Sequence, residues 1–256
     1  MKALLLAAGV GTRLKPYTDF WPKCLMPINK IPLLEYWIYD LINVGVKNIY
    51  INTHHCSEEV VSFIKNNKYK DQIFTFYEKN LLGTAGTIKS LNNELKKDKC
   101  IVVHADNFCN CNLEQYLNSH LDRPEKTQIT MMTFKTNKPE NCGIVEVDDS
   151  GIVTSFTEKS KEANGNIANA AIYILEPSVI EWISLQDKVN DISIDVIDKF
   201  VGKINTWHNS DMLVDIGTYE TLYSCQKYNH RLKKSEQKKE WLDYYKNLNI
   251  YNVFSS

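Results

Sequence analysis

Short apolar runs alternate with helically spaced apolar positions along the first half of the chain. Ala3 to Ala8 is an unbroken apolar run, too short for an ordinary helix and stopped by Gly9, which reads as a fully buried strand of a parallel sheet. After Pro32, the residues Leu33, Leu34, Trp37, Ile38, Leu41 and Ile42 recur at helical spacing, and Gly45 stands where such a helix closes. Asn48 to Asn52 predicts a second strand, Ser57-Glu58-Glu59 opens a helix through Phe63 and Ile64, and Ile73 to Tyr77 predicts a third strand. Thr84 to Leu95 as helix and Cys100 to His104 as strand continue the series. Such alternation predicts an α/β, doubly wound layer with ligands at the carboxyl ends of its strands. Asp106 lies just past one such end.

Beyond residue 127 the pattern turns strand-like, in Thr127 to Phe134, Ile144 to Val147, Ile152 to Phe156 and Ala168 to Leu175, with Asp148-Asp149-Ser150-Gly151 as a hairpin turn. Helices are expected near 177 to 185 and 191 to 201, and a last one after Asp215-Ile216-Gly217-Thr218. The basic stretch Lys227 to Lys239 reads as a solvated face. Trp241, Tyr244, Tyr245 and Leu248 follow at roughly helical spacing, suited to covering a sheet edge or to joining subunits in a homo-oligomer. The expected sheet is therefore doubly wound, mixed but mostly parallel, and flanked by helices.

At 256 residues and 43% hydrophobic content, the chain can build a sizeable core, and no linker divides it. A formal net charge of −1 excludes an overall basic nucleic-acid footprint, so any anionic ligand is small. Seven scattered cysteines fit reduced thiols, and the longest apolar stretches fall far short of the roughly 18 to 20 residues that span a bilayer. With no leader ahead of the first strand, the expectation is a cytoplasmic protein that touches neither membrane nor nucleic acid. Cys109-Asn110-Cys111, near His104 and Cys100, is poorly spaced for a tetrahedral zinc site.

The candidate chemistry begins where the first strand ends. Gly9-Val10-Gly11-Thr12-Arg13 combines glycines, a hydroxyl and a permanent cation, a good seat for a polyphosphate. Lys23 adds a second cation on a stretch stiffened by Pro16, Pro22 and Pro27. The dinucleotide fingerprint fails, because Leu14 occupies its third glycine position and Lys15-Pro16 follows where its helix should start. The P-loop fails as well, since no Gly-Lys-Ser or Gly-Lys-Thr follows Gly11. Gly9-Val10-Gly11-Thr12-Arg13-Leu14, followed by Pro16, Thr18 and Pro22-Lys23, closely resembles the pyrophosphorylase motif of the sugar-1-phosphate nucleotidylyltransferase family.

That resemblance implies a Rossmann-like, GT-A-like nucleotidyltransferase fold as one domain over residues 1 to 256: a nucleotide-binding half (1–125), a sugar-phosphate-binding half (126–225) and a helical tail (226–256). No hexapeptide periodicity for an appended β-helix is seen, so the catalytic module alone is expected. The reaction implied joins a nucleoside triphosphate to a sugar 1-phosphate, giving a nucleoside diphosphate sugar and pyrophosphate. Its nucleophile is already an anion, so the site needs fixed cations and Mg²⁺ more than it needs an acid or base. By the resemblance, Arg13 and Lys23 are catalytic, Arg13 holding the departing phosphates and Lys23 bridging incoming and α-phosphate oxygens. Asp106 and Asp215 match the metal-binding aspartates.

Ala8, Gly9, Gly11 and Thr12 are assigned to the nucleotide, together with Gly83, Thr84 and Ala85 of Leu82-Gly83-Thr84-Ala85-Gly86, which the family sets against base and ribose. Glu78 stands where members that use uracil or thymine have Gln. A carboxylate only accepts hydrogen bonds, which suits the adjacent donors of guanine or the amino group of cytosine. GTP with a hexose or heptose 1-phosphate is the favoured pair. The alternatives are a dTTP-, UTP- or CTP-dependent enzyme, or a non-catalytic regulatory homologue. Asn107, Gly143, Glu158, Lys159 and Asn169 are assigned to the sugar phosphate. The chain departs from the family pattern here, with Cys142 for an aromatic residue, Ser160 for proline and Ala171 for glycine. These departures leave the identity of the sugar open.

Overall fold

The computed structural model describes residues 1–161 and 164–228. The aromatic residues from Trp241 to Leu248, and all but the first two residues of the basic stretch, lie outside the described residues. The class is α/β, a mixed sheet flanked by helices, as expected. Two compact units interleave along the chain. The first holds Met1–Leu4, Asn80–Val103 and Cys111–Leu213, and the second Leu5–Lys79, His104–Asn110 and Val214–Ser256.

The first unit is built around the strand Ile167–Leu175, which pairs antiparallel with Cys100–His104, with Ile129–Lys135 and with Gly143–Val147. Val153–Glu158 closes a hairpin on Gly143–Val147, and Ile204–His208 runs parallel to Ile129–Lys135. The hairpin turn is the expected one. The Gly151 N–H donates to the Asp148 carbonyl, while Asp148 Oδ1 accepts from the amides of Ser150 and Ile152. Sequence periodicity misses the helix Leu113–Leu121 and the strand Ile204–His208, both short and interrupted by polar residues.

The expected helix from Thr84 to Leu95 is two helices, Thr84–Ser90 and Asn92–Leu95, broken at Leu91. Around the break, the Thr87 hydroxyl donates to the Gly83 carbonyl and the Ser90 hydroxyl to the Thr87 carbonyl, each sharing its acceptor with the helical N–H four residues on. The Leu91 N–H is then shared between the carbonyls of Thr87 and Ile88. The segment expected to be helical from 191 to 201 is likewise a π-turn, Ile192–Val196, followed by Ile197–Phe200.

The second unit carries the parallel pair Asn48–Thr53 and Ile73–Tyr77, with the helices Leu33–Asn43 and Ser57–Lys65. Leu33, Leu34, Trp37, Ile38 and Leu41 are all buried, so the apolar stripe read from the sequence is the face that packs. Gly45 follows that helix with φ of 85°, the left-handed geometry that ends it. Within Lys2–Leu6 the chain passes from the first unit to the second: the Lys2 N–H donates to the Lys99 carbonyl in the first, and the Leu6 carbonyl accepts from Ala105 in the second. Among the described residues, no helix is long and apolar enough to cross a membrane.

Candidate active site

The chain leaves its first strand at Leu6 and turns through Gly9 and Gly11. Gly11 adopts φ of 67°, and a Cβ there would lie 2.9 Å from Thr18 Cγ2 and 3.2 Å from Lys23 Cβ, so the position needs glycine for both conformation and space. The Thr18 hydroxyl donates to the Gly11 carbonyl at 2.8 Å and ties the loop to the segment that carries Lys23. Gly9, Thr12 and Arg13 are exposed. Nothing lies within 4 Å of where a Gly9 Cβ would stand, so there is room for a ligand beside the loop. Ala8, just before the loop, is buried.

Lys23 opens the 3-10 turn Lys23–Leu25, whose Cys24 and Leu25 are buried and whose Leu25 carbonyl accepts from the Trp21 indole. The turn buries Lys23 with them, at 6% exposure. A buried ammonium must be paired, and this one is paired twice: Nζ lies 2.6 Å from Asp106 Oδ2 and 2.8 Å from Asp215 Oδ1. Burial alone would lower the Lys23 pKa, but the charges and hydrogen bonds of Asp106 and Asp215 override it and hold the ammonium above its ordinary value. Burial would likewise raise Asp106, and Lys23, with help from His104, instead holds that carboxyl below its ordinary value.

A short ladder brings the two distant aspartates together. Asn107–Cys109, just past Asp106, pairs with Leu213–Asp215, and the Ile216 N–H donates to the Asp106 carbonyl at 3.2 Å. Asn107 is buried, and its own carbonyl accepts from the Trp37 indole at 2.8 Å. Arg13 completes the group, with Nη2 3.2 Å from Asp215 Oδ2. Arg13, Lys23, Asp106 and Asp215 thus form one cluster within the second unit, two cations alternating with two carboxylates.

Sequence reasoning missed Gly217 in this cluster. A Cβ there would lie 2.5 Å from Arg13 Nη2 and 2.9 Å from Asp215 Oδ2. Its only signal was the glycine two residues after Asp215. Glu78 is 3% exposed, and its Oε1 accepts from Asn52 Nδ2 at 2.9 Å. Asn52, also missed, accepts the Ala7 N–H on Oδ1 at 2.6 Å.

The remaining sequence-predicted residues lie in the first unit. Gly83 has φ of 77° and precedes the helix of Thr84 and Ala85, with the Asn190 carbonyl accepting from the Ala85 and Gly86 amides. Thr84 Oγ1 donates to Asp191 Oδ2 and accepts from the Ile192 N–H. Gly143 lies so close to Glu158 that a Cβ would stand 2.7 Å from Oε2. Lys159 Nζ is 3.4 Å from Glu158 Oε1. Asn169 sits at a bulge, its Oδ1 accepting from the Ala171 N–H at 2.9 Å and its Nδ2 donating to the Tyr173 hydroxyl at 2.6 Å.

A family model described as nucleotidyl transferase matches residues 2–231. The chain belongs to the nucleotidyl transferase family. It is 34% identical over 194 residues to the mannose-1-phosphate guanyltransferase of Debaryomyces hansenii, covering 73% of this chain and 52% of that protein. It is 32% identical over 197 residues to the UTP–glucose-1-phosphate uridylyltransferase of Synechocystis sp., covering 72% of this chain and 51% of that one. The chain therefore spans about half the length of these curated relatives. Its fold matches HddC from Yersinia pseudotuberculosis complexed with GMP-PN, with a TM-score of 0.73, 26% identity, and coverage of 88% of this chain and 98% of that one.

Proposed function

We propose that this chain catalyses transfer of a nucleotidyl group from GTP to a sugar 1-phosphate, releasing pyrophosphate. The alternation of Arg13, Lys23, Asp106 and Asp215 over contacts of 2.6 to 3.2 Å carries the reading. Both reactants are anions that repel one another, and the leaving pyrophosphate gathers more charge. Preorganised cations are the remedy, acting where charge develops. Lys23 is placed by its buried stem and its two acceptors, so it meets phosphate oxygens without first being ordered. Arg13, exposed to solvent, suits the outer phosphates, which its planar fork can bind in two places.

The donor set fits Mg²⁺, which is commonly held by one or two carboxylates together with substrate phosphates. Two carboxylates already gathered round one ammonium can serve a divalent ion in the same way, so Asp106 and Asp215 would hold it. When bound, the ion would neutralise charge on the triphosphate and orient it. A carboxylate at Glu78 suits the adjacent donors of guanine, and relatives named guanyltransferases and a neighbour solved with GMP-PN support that choice. For the sugar phosphate, Gly143, Glu158, Lys159 and Asn169 of the first unit supply a close backbone, an acceptor, a cation and an amide. Seven free cysteines are consistent with a cytoplasmic setting.

The test incubates the protein with Mg²⁺, each of GTP, CTP, UTP and dTTP, and a panel of hexose and heptose 1-phosphates, and reads pyrophosphate release. GTP should give the highest turnover. A clear dTTP preference would overturn the assignment of the base, and no release with any pair would overturn the activity.

A further inference from the structure

We infer that Asn52 is a specificity-positioning residue, one that fixes the carboxylate of Glu78 as the reader of the nucleobase and couples it to the phosphate loop. The inference rests on the reading that Glu78 meets the base. Asn52 is the next-to-last residue of the strand Asn48–Thr53 and is 3% exposed, between Ile51 and Thr53, which are buried as well. A buried amide must have its donors and acceptor satisfied, and what surrounds Asn52 leaves one orientation. The Ala7 N–H, 2.6 Å away, requires the carbonyl oxygen on that side, so Nδ2 is the atom that points at Glu78 Oε1, 2.9 Å away.

A donor at that distance requires an acceptor opposite. The backbone of Glu78 is held as well, its N–H donating to the Thr53 carbonyl at 2.8 Å and its carbonyl 2.8 Å from His54 Nδ1. With the main chain and one carboxylate oxygen held, few orientations of the carboxylate remain, and these set the direction in which it accepts. Only a base edge with a donor in that direction is satisfied there, and one presenting a carbonyl meets like charge. The other end of the same amide holds Ala7, two residues before Gly9, so one side chain links the base-reading carboxylate to the loop proposed to bind phosphate.

The chemistry separates this role from simple packing. Asn52→Asp preserves size and still accepts from Ala7, but sets one carboxylate against another. Asn52→Ala deletes volume and removes the donor that Glu78 Oε1 accepts from. If Asn52 only filled space, the alanine variant would be the worse of the two. If it positions Glu78, the aspartate variant is the worse, and Asn52→Asp combined with Glu78→Gln relieves the clash, because the side-chain amide introduced at 78 donates to the carboxylate introduced at 52, reversing the wild-type bond.

GTP and UTP binding is measured by titration calorimetry with Mg²⁺ present on wild type, Asn52→Ala, Asn52→Asp, Glu78→Gln and the double variant, with thermal unfolding of each as a control. Wild type should bind GTP at least about tenfold more tightly than UTP, the weight of one well-placed hydrogen-bonding pair. Asn52→Ala should cut that ratio about fivefold and Asn52→Asp more, with the double variant folded and its ratio shifted toward UTP. A wild type without GTP preference would sink the reading of the base itself. A wild type that prefers GTP, with Glu78→Gln losing the preference and both Asn52 variants keeping it within twofold, would overturn only the role of Asn52. So would an aspartate variant milder than the alanine one. Should Asn52→Asp fail to fold, the ratio in Asn52→Ala decides.

Discussion

Gly217 sets how closely Arg13 and Asp215 approach, because the guanidinium lies where a side chain at 217 would begin. The obstructed group is the end of a flexible, exposed arginine, so Gly217→Ala should leave the fold intact and push the cation aside. We expect turnover to fall at least about tenfold with an unchanged melting temperature, in line with the sensitivity of transfer reactions to small displacements of a positioning group. Wild-type turnover in this variant would show that the position of Arg13 does not matter. Lys23, Asp106 and Asp215, which the structure gathers, stand out in the chain because a motif or a strand end singles each out, whereas Glu78 is singled out by its register against the resembling family. Asn52 and Gly217 do not stand out, since what defines them is contact with residues 45 and 204 positions away, which periodicity cannot see. Ala171 shows the same limit. The chain has alanine where the resemblance implies glycine, and the backbone still takes φ of 55°, supported by the Asn169 side chain.

Among elements, the strands of the first half followed their predicted bounds closely, since each is a short apolar run closed by a polar or turn residue. The long helix expected from Thr84 was the main miss, since it breaks at Leu91, whose N–H divides between the carbonyls of Thr87 and Ile88. What holds the start of that element is Gly83. A Cβ there would lie 2.4 Å from the Asn190 carbonyl oxygen, a backbone atom that cannot move alone, at a φ of 77° that alanine resists. Gly83→Ala should therefore cost more than about 2 kcal/mol of stability, seen as a lower urea midpoint. In Gly86→Ala the new methyl would meet the Leu82 side chain at 3.2 Å, so it should cost less. Equal effects of the two substitutions would show that the Asn190 contact is not what restrains this turn.

For the molecule as a whole, the first unit contains its own acid sensor. His120 is buried, 2.8 Å from the Thr130 hydroxyl and 3.1 Å from Glu176 Oε1. Burial, then Arg123 and Lys99, push its imidazole down to about 4, and Glu176 does not offset them. The unfolded chain holds that proton below about 6.5, so between the two values it binds a proton that the folded chain lacks. Stability from this group is complete above about pH 6.5 and falls as the pH drops toward 4. Urea midpoints at pH 7 and 4.5 should show wild type losing about 2–3 kcal/mol more than His120→Gln, and parallel losses would assign the decline elsewhere. Catalysis here depends on the four gathered charges acting on the substrates. Pyrophosphate release from GTP and the best sugar 1-phosphate, measured for Lys23→Ala and Asp106→Asn, tests this most directly. Each should lose at least about a hundredfold in turnover while remaining folded, the loss of one preorganised charge contact. Near-wild-type turnover in either would contradict it.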